Sequence, residues 1–114
     1  MADTFSDQII IQLPMGLRQD DLGIRHRLEE ELEAAFTDSG IGVVDGGDIG
    51  SGTMNVFALV QSGRWDEAMA AACAVLATMR VSEVAVIARR DITDDESMPS
   101  VVWPEGLPPE FRYW

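Results

Sequence analysis

Asp45 and Asp48 are the residues whose type and spacing first suggest chemistry. They sit among five glycines in GVVDGGDIGSG, Gly42 to Gly52. Three readings compete. A phosphate loop needs converging backbone N–H groups and a positive charge from a lysine or a helix N-terminus. Here the glycines precede a strand, the chain has no lysine, and the two aspartates add negative charge. A hard cation is better matched, since carboxylates and loop carbonyls are its ligands, but two acids outside a D-x-D-x-D-G register supply few of them. The third reading is a hairpin, with Val43-Val44 leading in and Met54, Val56, Ala58 and Val60 leading out. Gly46-Gly47 and Gly50-Ser51-Gly52 then supply the positive φ of a bulge or turn. The hairpin is the reading expected, with Asn55 hydrogen-bonding the neighbouring loop and the exposed backbone serving as a recognition surface.

Nothing else forms a catalytic set. His26 is the single histidine, flanked by Arg25 and Arg27; catalysis would need an oriented base and a nucleophile beside it, and no serine stands in G-x-S-x-G. Cys73 lies in a small, apolar stretch, where a thiol packs as a small hydrophobe, and no neighbouring charge would generate a thiolate. Glu29, Glu30, Glu31 and Glu33 read as a solvated helix face rather than paired acids. The six methionines show no haem or copper spacing. Arg89-Arg90 closes a strand and is expected to meet local acids such as Asp91. No catalytic residue, cofactor or metal site is expected.

The elements that must position these residues follow from periodicity. Phe5 to Leu13 reads as a central strand, with Ile9, Ile11 and Leu13 on one face and Gln8, Ile10 and Gln12 on the other. Asp20 or Asp21 caps a helix whose apolar stripe is Ile24, Leu28, Leu32, Ala35 and Phe36, stopped by Ser39-Gly40. Ile41 to Asp45 and Thr53 to Val60 are the next strands. Trp65, Met69, Ala72, Leu76 and Met79 mark a second helix from about Trp65 to Met79. Val81 to Arg89 is the last clear strand. The order β-α-β-β-α-β predicts an α+β, ferredoxin-like sandwich: a four-stranded antiparallel sheet with two helices on one face. One domain spans 1–114, with a core of about 5–91 and a tail of about 92–114.

The tail carries Val101, Val102, Trp103, Leu107, Phe111, Tyr113 and Trp114, punctuated by prolines that cannot feed a sheet ladder. An irregular course is expected. Tail and open sheet face belong together, since that face, expected to show Ala85 and Ile87 beside Gln8, Ile10 and Gln12, is half apolar. Either the tail or a second copy in a homodimer would cover it.

Twenty acids face eight bases, all arginine, for a formal charge of −12. Such a surface repels nucleic acid and anionic membrane and suits a basic partner. The arginine-only bias, with much Ala and Gly, points to a GC-rich genome. One cysteine excludes an internal disulfide and fits a reducing compartment. There is no run of about 18 apolar residues, and Met-Ala-Asp-Thr-Phe lacks the features of a signal peptide, so a cytoplasmic location is expected.

In size, charge and architecture the chain resembles small, acidic bacterial proteins that include the immunity proteins of toxin systems. That resemblance implies a non-catalytic module that plugs a basic partner, and the surface expected to do so is Asp45, Asp48, Asn55, Trp103 and Trp114. The stretch DDLGIRHRLEEELEAAFTDSGIGV also resembles the start of an ACT-type ligand domain at Asp21, Gly23, Gly40 and Ile41. It implies an amino acid held by the loop before the first helix at a subunit interface, although no proline precedes Gly23. A third reading is a small ferredoxin-like enzyme with an apolar cleft between sheet and tail, in which no motif places His26, Trp65 or Trp103.

Overall fold

The computed structural model describes residues 4–16, 21–50, 52–94 and 96–103. Strand β1 (Phe5–Pro14) is followed by helix α1 (Asp21–Ser39), strands β2 (Gly42–Gly50) and β3 (Thr53–Gln61), helix α2 (Trp65–Thr78), and strands β4 (Val86–Asp91) and β5 (Ser100–Trp103). The fold is α+β: two helices and one five-stranded antiparallel sheet in the order β2-β3-β1-β4-β5.

The core lies between the helices and one sheet face. Alternation puts Ile9, Ile11 and Leu13 there with Met54, Val56, Ala58 and Ile87, because directly paired residues share a face. Ile24, Leu28, Leu32 and Phe36 of α1 are buried against them, and α2 adds Ala68, Ala72, Val75 and Leu76. Small residues at 68 and 72 let α2 lie close to its neighbours. Asp21 is the first helical residue; the alternative cap, Asp20, lies outside the described residues.

Both helices end the same way. In α1 the N–H of Ile41 donates to the Phe36 carbonyl at 2.9 Å and that of Gly40 to Thr37 at 3.2 Å. Gly40 takes φ +66°, the left-handed residue that closes a helix with a six-to-one bond. In α2, Val81 N–H donates to Leu76 and Arg80 N–H to Ala77. Arg80 holds the left-handed φ of +61°, which costs a side-chain-bearing residue about 1 kcal/mol or more.

Four expectations need correction. The sheet has five strands, not four: Ser100 to Trp103 pairs with β4. Each of its residues keeps its N–H, and the flanking prolines stand outside the strand, so a four-residue edge strand fits between them. Secondly, β2 does not end at Asp45. It runs through the glycines to Gly50, with a register shift between Val44 and Gly47 where the strand bulges, and its last pair is Gly50↔Thr53. Gly46, at φ +102°, takes the bulge conformation. Thirdly, β4 starts at Val86 rather than Val81, because Val84 and Ala85 N–H groups turn back onto the Val81 carbonyl, both at 3.1 Å. Fourthly, Ala85 and Ile87 are not on the open face; both belong to the helix-side core. The open face instead carries Ile10, Gln12, Asn55, Val86 and Ala88, all buried. The pairing Ile11↔Ile87 decides this, since a one-residue change of register inverts every side chain.

Beyond Trp103 the tail, and with it the expectation that the tail or a second copy covers the open face, lies outside the described residues.

Candidate functional site

Two polar constellations stand out, one on each sheet face. The first crosses the open face. Gln12 Nε2 donates to Asn55 Oδ1 at 3.0 Å, and Asn55 Nδ2 donates to Asp48 Oδ1 at 2.9 Å. Three strands thus contribute one residue each to a chain of side-chain hydrogen bonds. Pairing puts them in line, since Gln12 lies opposite Asn55 and Asn55 opposite Asp48. The bulge shifts the alternation by one residue and so puts Asp48 on the open face beside Asn55, and Asp45 and Asp48 do different things. Asp45 is exposed at the bulge, while Asp48 is committed to Asn55.

Asn55 is 0% exposed, so its amide depends on these bonds. Leaving a buried polar group unpaired costs about 1–3 kcal/mol. Asn55→Ala removes the acceptor of Gln12 Nε2 and the donor to Asp48 together. It is expected to lower stability by about 2 kcal/mol, read from the urea midpoint at unchanged slope.

The second constellation lies on the helix face where β1 begins and β4 ends. Arg89 Nε donates to Asp7 Oδ1 at 2.8 Å, and Ser6 Oγ donates to Asp7 Oδ2 at 2.9 Å. The guanidinium carbon sits 4.5 Å from the ring centroid of Trp65, a cation–π stack. The Asp7 side chain is only 9% exposed, against 44% for Arg89. A cleft of about 300 Å³ opens beside them, lined by Asp7, Arg89, Asp91, Ser97, Ser100 and two apolar residues, Met98 and Val102. Thr93 donates to Asp91 Oδ1 from its hydroxyl at 2.6 Å and its backbone at 2.9 Å. These bonds, the hydroxyl first, hold the Asp91 carboxyl below the usual carboxylate range. Arg90, expected to meet a local acid, instead donates to the Ser97 carbonyl at 3.2 Å.

Of the expected surface, only Asp48 and Asn55 come together. Trp103 packs on the helix-side core on β5, four strand spacings from β2, about 19 Å. Trp114 lies outside the described residues. The ACT-like positions are not gathered either: Asp21 and Gly23 stand at one end of α1, Gly40 and the buried Ile41 at the other, about 26 Å apart along the helix. His26 is exposed on α1. Cys73 is half-buried against the core, and burial pushes its thiol up, away from the thiolate. Among the described residues no three His, Cys, Asp or Glu side chains group as metal ligands would, and no helix is long and apolar enough to cross a membrane.

Sequence reasoning missed Asp7, Arg89 and Trp65 as a unit. A signal was present: Asp7 shares the parity of Ile9, Ile11 and Leu13, and Arg89 that of Ile87. An acid and a base, each at a core-facing position near a strand end, are candidates to pair.

Comparison with known protein families, curated proteins and solved structures finds no match for this chain.

Proposed function

We propose that this chain is a non-catalytic protein-binding module for a basic partner, in the manner of an immunity-like inhibitor. One observation carries the reading. The arginines Arg25, Arg64 and Arg89 are each tied to an acid of the same chain, Glu29, Glu67 and Asp7. The acids on the outer side of α1, Glu30, Glu31, Glu33 and Asp38, are exposed and hold no ion pair among the described residues. These three arginines are thus matched within the chain, and part of the −12 excess is presented outward on α1. Such a surface steers and orients a positively charged partner. The exposed His26, without a nucleophile beside it, and the Cys73 thiol held from ionising support a binding role over a catalytic one.

We also propose that the first six elements form a ferredoxin-like unit to which β5 is an edge addition. The order β2-β3-β1-β4 and the two helices on one face support this.

The test uses the full chain as bait, at low and high salt, beside the triple variant Glu30→Lys, Glu33→Lys, Asp38→Lys. A basic partner is expected, with retention falling roughly tenfold or more as screening shortens from about 10 Å to 3 Å between 0.1 and 1 M salt. The triple variant should lose it. Salt-independent capture, or equal capture by the variant, would sink the proposal.

A further inference from the structure

The Asp7–Arg89 pair raises a question of energetics. Asp7 is nearly buried while the Arg89 side chain is 44% exposed, and an ion pair at such a margin contributes little net stability, since screening weakens the attraction and desolvation of the acid offsets it. What the pair does accomplish is orientation. Asp7 holds Nε from one side and the Trp65 ring lies against the guanidinium plane. The four Nη N–H donors have no hydrogen-bond partner among the described residues, and Arg89 lines the cleft. A planar fork fixed in this way matches a carboxylate, which takes two parallel bonds from it.

Asp91 supplies the opposite charge on the same cleft. Thr93 occupies its Oδ1, and no donor among the described residues reaches Oδ2. The Ser97 and Ser100 side chains add polar lining, while Met98 and Val102 offer an apolar wall. The charges decide the ligand class. A simple carboxylate would meet Arg89 but oppose Asp91 and an acidic chain. A simple amine would meet Asp91 but oppose Arg89. A molecule carrying both charges close together satisfies both, and about 300 Å³ holds one of small size.

We propose that this cleft binds a small amino-carboxylate zwitterion of the free amino acid kind, its carboxylate on the Arg89 fork and its ammonium on Asp91. The site is at the Asp7 end of β1, whereas α1 begins beyond the Pro14 end. It is therefore not the loop before the first helix, and it does not rest on the protein-binding reading.

The experiment titrates the full chain with free amino acids by calorimetry, following tryptophan fluorescence in parallel because Trp65 backs the fork. N-acetylated and methyl-esterified forms of the same compounds remove one charge each, and a dipeptide arm separates free amino acids from chain termini. At least one free amino acid is expected to saturate with a Kd of about 1 mM or tighter. Each blocked form should bind roughly tenfold more weakly, since a charge-assisted bond is lost. Asp91→Asn, an exposed change that leaves the Asp7–Arg89 pair in place, should weaken binding by a similar factor, and Arg89→Gln by more. No saturable binding by any free amino acid up to about 10 mM, equal binding of the blocked forms, tighter binding of the dipeptides, or affinity unchanged in Asp91→Asn would each overturn it.

Discussion

Phe36→Ala is expected to remove about 3–5 kcal/mol of stability, the largest effect of any single truncation in this core. Phe36 is fully buried and heads the largest buried side chains. It sits in the last turn of α1, where Ile41 N–H closes the helix on its carbonyl. The ring therefore anchors both the helix stripe and the entry into β2. Its loss forfeits the transfer free energy of an aromatic group and leaves a cavity that backbone held by sheet and helix bonds cannot collapse to fill. Against a total of about 5–15 kcal/mol for a domain, that is a large share. Urea unfolding should show a much lower midpoint at unchanged slope. A loss under about 1 kcal/mol would mean that the cluster closes over the gap.

The second large effect is expected at Gly42, and it arises from contact rather than conformation. A Cβ there would lie 2.0 Å from the Leu59 carbonyl oxygen and 3.1 Å from its carbon. Both are backbone atoms of the paired strand, so no side chain can rotate away. Gly42→Ala should cost about 3 kcal/mol or more, the upper range of overpacking, because β2 must move off β3 at the start of the hairpin. Gly46→Ala is the control. Nothing lies within 4 Å of its Cβ position, and only φ +102° penalises the change. A cost of about 1–2 kcal/mol is expected there. Equal losses at the two sites would show that steric closeness at Gly42 is not the cause.

These two residues also mark what was legible beforehand. The Phe36 position could be read directly: an apolar stripe at helical spacing, followed by Ser39-Gly40, fixes both the buried face and the stop. Gly42 could not. A glycine cluster before a strand signals a turn, and the hairpin partners Val43↔Leu59 and Val44↔Ala58 are found. The strand, however, runs on to Gly50, so Gly42, Gly46, Gly47 and Gly50 lie within β2 rather than in a loop. The reason is that glycine also permits a bulge, and a bulge keeps the ladder running where a loop would end it. The candidate site divides in the same way. Asp48 and Asn55 are seven residues apart across one hairpin, and an interaction between Asn55 and the adjoining segment was foreseeable. Gln12, separated from Asn55 by 43 positions, was not.

From the sequence alone came the order of six elements, the two apolar helix stripes, the closure of α1 and the surplus of negative charge, since each is set by residues within a few positions of one another. Tertiary structure alone decided the rest: the pairing of Ser100–Trp103 as a fifth strand, the register that turns Ile87 inward, and the meeting of Asp7 with Arg89 across 82 residues. Local periodicity states which face a side chain takes relative to its own neighbours. Which strand lies alongside, and in what register, is fixed only when the whole layer packs, and the Arg89 cleft exists only as a product of that packing.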